Sequence, residues 1–220
     1  MIRYIIFDMD GVLVDSEAVI RDACIQMFKR RGITVQPDDF ISFTGVGEGN
    51  CIAGISQKYG HEFAPDMKAE AYRIYGEIAK EQVIVCDGVK DMVGALRACG
   101  YKLAVASAAD SVKVNINLEC LGLSQADFDG VVTGNDVTKH KPDPEAFLKA
   151  CAKIGGNPPE SVVIEDALSG CKAAKAAGMA CIGIMSTFSA EELRQAGADF
   201  TAGQTRDVPG IIARMNSTGG

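Results

Sequence analysis

Histidine is scarce in this sequence, with only His61 and His140, and both are expected at the surface. No histidine cluster accompanies the eight cysteines, Cys24, Cys51, Cys86, Cys99, Cys120, Cys151, Cys171 and Cys181, and none of these forms a CxxC pair. That argues against a zinc site or a disulfide framework and for free thiols, several of them packed as small hydrophobes. Positive charge is also short: 22 Lys and Arg face 29 Asp and Glu, for a net charge of −7. A general nucleic-acid surface wants the opposite balance. No apolar run approaches the roughly 20 residues of a membrane helix. The sequence opens straight into a strand-like run with no basic region, and no small-residue cleavage site follows it, so the expected location is cytoplasmic. There are no repeats and no low-complexity tract. What is present is 220 residues, 47% of them hydrophobic, enough for one core or a core with a small accessory domain.

Short apolar runs fall at 2–7, 83–86, 102–107, 130–133, 161–165 and 180–184. Most are rich in Ile, Val, Ala or Cys and bounded by Gly, Asp, Asn or Ser, the pattern of buried parallel strands. Helical spacing lies between them. Val89, Met92, Val93, Leu96 and Cys99 share a face over 88–100. Asp143 as cap and Pro144 at the first position open a helix carrying Phe147, Leu148, Cys151 and Ile154. Ser189 and Glu192 form a capping box. Val112, Val114, Ile116 and Leu118 alternate like a strand. A helix is nevertheless expected over 111–121, because parallel strands need a crossover between them. The fold class expected is α/β: a Rossmann-like parallel sheet with helices on both faces, formed by residues 1–15 and 83–220.

Residues 16–82 break this rhythm and read as an inserted all-helical domain. Ser16 is placed to cap a helix whose face carries Val19, Ile20, Ala23, Cys24, Met27 and Phe28, and Gly32 ends it. A start at Pro37, a glycine-rich turn at 45–49 and two more helical stretches come next. The tail from Asn216 is expected to fray.

Four short motifs carry chemistry. The first strand run closes on Asp8-Met9-Asp10-Gly11-Val12, and ligands in open α/β sheets gather at the carboxyl ends of strands. Carboxylates two apart on a strand share a face and repel, which a cation relieves, and oxygen donors suit magnesium. A solvated strand end turning at Gly11 is the plain alternative. The run at 161–165 ends in Glu165-Asp166, a second acidic pair, although Asp166 could equally cap the next helix. Ser107, with Ala108, stands where a strand turns into a helix, and its hydroxyl and nearby N–H groups suit phosphate oxygens or a simple cap. Lys141 lies in His140-Lys141-Pro142-Asp143-Pro144, where two prolines restrict the backbone.

In this order the four motifs resemble the haloacid dehalogenase superfamily, over nearly the whole chain, and within it the branch of β-phosphoglucomutase and small-molecule phosphatases. The resemblance implies that Asp8 is the nucleophile, taking the phosphoryl group as an aspartyl-phosphate. It implies that Asp10 is the acid–base group, and that Ser107 and Lys141 hold the phosphoryl oxygens. Magnesium would be held by Asp8, the Asp10 carbonyl and Asp166, with Glu165 in or beside that set. The helical insertion would be a cap, with Ser16 and Gly47 as candidate substrate contacts. The mutase branch carries a histidine and an arginine in its cap where Ile20 and Glu48 stand here, which favours hydrolysis over a mutase reaction; Lys68 or Arg73 are left to supply a positive charge. A small phosphorylated metabolite is the expected partner, with no nucleic acid or membrane, for a monomer or homodimer. A catalytically silent magnesium-binding module is the reading of another class.

Overall fold

A computed structural model describes residues 1–43 and 47–218, so Gly45 and Val46 of the expected glycine-rich turn, and the last two residues of the tail, lie outside the described residues. In chain order the elements are β1 (Tyr4–Phe7), β2 (Val14–Asp15), α1 (Glu17–Arg30), α2 (Glu48–Lys58), α3 (Pro65–Gln82), β3 (Ile84–Val85), α4 (Val89–Ala98), β4 (Lys102–Ala106), α5 (Ser111–Cys120), β5 (Gly130–Val132), α6 (Glu145–Lys153), β6 (Ser161–Glu165), α7 (Leu168–Ala176), β7 (Ala180–Ile184), α8 (Ala190–Gln195), β8 (Phe200–Ala202) and α9 (Val208–Thr218). The chain divides into two compact units, Met1–Asp15 with Val85–Gly220, and Ser16–Ile84. No helix among the described residues is long and apolar enough to cross a membrane.

The first unit is built on a six-stranded parallel sheet in the order β5-β4-β1-β6-β7-β8. Ile5, Ile6 and Phe7 of β1, and all of β6, are buried, because helices cover both faces. Ile6, Ala104, Val163 and Cys181 pack against Phe147 and Ala150 of α6 and Ala173 and Ala174 of α7. Neighbouring residues of each strand point to the opposite face, where α4 packs against β4 and buries Val89, Met92, Val93 and Leu96. Phe7 stands opposite both Val105 and Ile164. The three central strands therefore end level, and the residues at their carboxyl ends are delivered to one edge. Strand order reverses at β1, since β4 and β5 extend one way and β6 to β8 the other, which leaves a crevice at that edge.

Several expectations need correction. The run at 83–86 is not a strand of the main sheet: Ile84 and Val85 are exposed and pair with β2 in a two-stranded ribbon. An apolar β-branched run reads the same whether buried or lining a connection. The edge strand β8 was not foreseen, because Phe200-Thr201-Ala202 is too short and mixed to stand out. Cys99 and Leu148 are exposed, the former because α4 ends at Ala98 ahead of Gly100, whose φ of +84° needs glycine. The 111–120 segment is a helix, with Val114 and Leu118 inside and Val112 exposed.

The second unit is helical. α1 buries Val19, Ile20, Ala23, Cys24, Met27 and Phe28 and packs on α3. Arg31, just past α1, donates to Glu70 at 2.8 and 3.0 Å and to Asp66 at 2.9 Å, tying the two helices. Asp39 accepts bonds from Gln36 N, Lys58 Nζ and Tyr59 Oη at 2.7, 2.5 and 2.6 Å. Ser16 occupies the N-cap position of α1 but its side chain makes no capping bond; its carbonyl accepts from Ile20 N.

Candidate active site

The level strand ends bring three of the four motifs into direct contact. Asp8 N donates to Ile164 O at 2.9 Å, which extends the β1–β6 ladder by one residue and fixes the Asp8 backbone. The Asp8 carboxylate is nearly buried, and Lys141 Nζ lies 2.5 Å from its Oδ1. The same ammonium lies 2.6 Å from Glu165 Oε1. Glu165 Oε2 accepts from Ala167 N at 2.6 Å, so both of its oxygens are held. Lys141 arrives on the loop before α6, and the Phe147 ring centroid lies 4.7 Å from its Nζ. Asp166 Oδ2 accepts from Ser186 Oγ at 2.7 Å. Close approach here depends on Gly11, whose φ is +76°: a Cβ at that position would overlap the Asp166 carboxylate.

Asp8, Glu165 and Asp166 each offer a carboxylate oxygen within 4.8 Å of the others. Lys141 is the ammonium that touches two of the three. Burial pushes the Asp8 carboxyl well above its ordinary value; Lys141 opposes this, while Glu165 and Asp166 add to it. Asp166 is pushed up to about 7, by burial first and then by Glu165, against the Ser186 bond. Burial works to lower Lys141, but Asp8 and Glu165 outweigh it and hold the ammonium above the ordinary lysine value. With all three carboxyls ionised, the cluster would carry more negative charge than its lysine balances. Hard oxygen donors, close spacing and unbalanced charge fit a divalent cation such as magnesium.

Asp10 does not stand where the shared strand face predicts. β1 ends at Phe7, so Asp8 and Asp10 do not share a strand face; Asp10 lies in a tight turn closed by the Gly11 N to Val14 O bond of 2.7 Å. Its side chain is not in the trio: Oδ2 lies 3.0 Å from Lys113 Nζ, on α5. Ser107 is buried at the end of β4, where its N donates to Val132 O and its Oγ accepts from Ala109 N at 3.1 Å. Ala108 is exposed beside it, its carbonyl so near Gly134 that a Cβ there would overlap it. Ser16 and Gly47 belong to the helical unit: Ser16 is fully buried, and Gly47 precedes α2 with φ +82°. There, Glu48 accepts from Tyr72 Oη at 3.1 Å, Lys68 Nζ sits 5.8 Å from the Tyr72 ring centroid, and Arg73 pairs with Glu77. Both histidines are exposed.

Sequence reasoning missed Lys113 and Ser186. The expected helix over 111–121 leaves Lys113 to be taken as a solvated side chain, whereas the structure turns it inward with Val114, Asn117 and Leu118. Ser186 lies two residues past β7, and the signal available was a hydroxyl just beyond a central strand.

The sequence profile of the haloacid dehalogenase-like hydrolases matches residues 5–184. Protein SUPPRESSOR OF QUENCHING 1, chloroplastic, of Arabidopsis thaliana is 42% identical over 88% of this chain, which spans 19% of that longer protein. Validoxylamine A 7'-phosphate phosphatase of Streptomyces hygroscopicus subsp. limoneus is 30% identical over 89% of this chain and 92% of its own. The crystal structure of CbbY from Rhodobacter sphaeroides in complex with phosphate superposes with a TM-score of 0.79 at 25% identity, covering 94% of this chain and 96% of that one.

Proposed function

Because the chain belongs to the haloacid dehalogenase-like hydrolase family, we propose that it is a magnesium-dependent phosphatase that hydrolyses a small phosphorylated metabolite, such as a sugar phosphate, at Asp8. The observation that carries this reading is the Lys141 ammonium bridging Asp8 and Glu165 with Asp166 alongside. A carboxylate nucleophile repels a phosphate dianion, so it must be neutralised locally, more so in a protein of net charge −7. The relative from Streptomyces, a phosphatase by name, and the phosphate-bound CbbY structure support the substrate class.

Asp8 attacks phosphorus; the ester P–O bond breaks, and its electron pair goes to the leaving oxygen, which takes a proton from the Asp10 carboxyl. Asp10, now a carboxylate, takes a proton from water, whose oxygen attacks the aspartyl-phosphate. The bond to Asp8 breaks, and inorganic phosphate departs. Two easier steps replace one hard one. Ser107 and Lys141 hold the phosphoryl oxygens. Asp8, Asp166 and the Asp10 carbonyl, with Glu165 beside them, would hold the magnesium, which supplies charge neutralisation when bound. The helical unit is the cap in this reading, and Ser16 and Gly47 are its candidate contacts to substrate. Ile20 is buried and has no proton to relay, and Glu48 is anionic, which favours water over a second sugar phosphate as acceptor.

A screen of phosphorylated metabolites, scored by phosphate release with and without magnesium, tests the proposal. The expected outcome is magnesium-dependent release by the parent and none by Asp8→Asn. Ordinary turnover in Asp8→Asn would remove Asp8 from its role, and p-nitrophenyl phosphate left intact alongside every metabolite would favour a silent binding module.

A further inference from the structure

Lys113 is only 2% exposed, yet its amine stands on a helix face shared with Val114 and Leu118. Withdrawing an ammonium from water is unfavourable without a paired acceptor. Here Nζ lies 3.0 Å from Asp10 Oδ2, while the Asp10 side chain remains 19% exposed. One turn along α5, Asn117 is wholly buried on the same face, so the polar stripe runs deeper than one residue. The Asp10 backbone is separately fixed by the turn closed on Val14. A buried ion pair merely to fasten α5 to that turn is not needed where apolar side chains pack as well.

The geometry points to Lys113 as the positioning residue for Asp10: its ammonium occupies Oδ2, so the proton exchanged with the leaving group and with water rides on Oδ1. An ammonium has donors and no acceptor, so it pairs best with the unprotonated oxygen of a carboxyl and cannot accept from an O–H. With Oδ2 receiving from Lys113, the O–H of an Asp10 carboxyl is directed to Oδ1. The carboxyl plane is thereby set before substrate arrives, which is where acid–base catalysis gains its geometry. This inference rests on Asp10 being the acid–base group of the proposed phosphatase.

Leaving-group dependence separates positioning from simple packing. An alkoxide must be protonated as it departs, whereas dinitrophenolate departs without help. The rate constant kcat/KM covers only the step up to phosphoryl transfer to Asp8. For Lys113→Met, kcat/KM on glycerol phosphate is expected to fall by about 10²-fold, and on dinitrophenyl phosphate by less than about threefold, within the range general acid catalysis supplies. A burst of dinitrophenolate ahead of phosphate release should also appear, because the water step still needs the base. Asp10→Asn serves as the reference, and adding Lys113→Met to it should cost nothing further on glycerol phosphate. Equal losses on both substrates in Lys113→Met would reduce Lys113 to a packing role and overturn the inference. If Asp10→Asn itself showed no leaving-group dependence, the acid reading of Asp10 would fall and the inference with it. Should Lys113→Met melt well below the parent, Lys113→Gln, which keeps a donor but no charge, replaces it and is expected to show the same substrate split.

Discussion

At Asp39 a carboxylate does its work by staying charged. Hydrogen bonds from Lys58, then Tyr59, then the Gln36 N–H hold its pKa down at about 2. In the unfolded chain it titrates near about 3.9. The folded value is the lower one, so the carboxylate stabilises the fold above the unfolded value, and that contribution is lost as pH falls from about 4 through about 2. We expect Asp39→Asn to lower the urea midpoint of the helical unit at pH 7, and the deficit to shrink as pH falls toward the folded value and to vanish only below it. A deficit that stays constant down that range would assign the effect to shape, not charge. Asp8 and Asp10 illustrate a different side of residue-scale reasoning. Their spacing was legible as a functional signal, but their partners were not. Lys141 was marked out by its prolines, whereas Lys113 was hidden, because a lysine on an expected helix reads as part of its solvated face and nothing local marks the face that turns toward Asp10.

Elements with chemical punctuation at their ends were the legible ones. Ser189 Oγ accepts from Glu192 N at 3.3 Å, and Glu192 Oε2 accepts from Ser189 N at 2.9 Å, the reciprocal pair that the sequence announces. Ser189→Ala should cost about 1 kcal/mol of stability and leave phosphate release unchanged, as checked by chemical denaturation alongside an activity assay. An unchanged denaturation midpoint would mean that α8 gains nothing from its cap. The central strands were equally plain, since burial on both faces leaves a short, mainly apolar run in each of β1, β4 and β6. The pairing of β3 with β2 and the edge strand β8 were not, because elements of two or three residues carry no periodicity. The site arose from the strands more than from any motif: level ends on β4, β1 and β6 put Ser107, Asp8 and Glu165 on one edge. No single run of residues records that alignment, since it comes from pairing between segments far apart in sequence.

For the molecule as a whole, charge is distributed at odds with simple stability. A chain of net charge −7 gathers Asp8, Glu165 and Asp166 within 4.8 Å. Packing three carboxylates around one lysine is unfavourable for the empty protein, and the upward shifts of Asp8 and Asp166 record the strain. A cation that binds only the folded core converts that cost into affinity. At a magnesium concentration of 100 times Kd, the core gains about 2.7 kcal/mol. For a chain of this size that is roughly 5–11 °C in Tm, taking about 2–4 °C per kcal/mol. Magnesium should therefore raise the melting temperature of the core transition, and chelation should return it, while sodium chloride at matched ionic strength should not. Asp166→Asn sharpens the test, because it removes one of the crowded charges. Without magnesium this variant should melt no lower than the parent; with magnesium it should gain little, so the order of the two proteins reverses. A parent whose Tm is indifferent to magnesium, or a variant that responds as the parent does, would show that the trio is a structural cluster whose charge is balanced by protons alone.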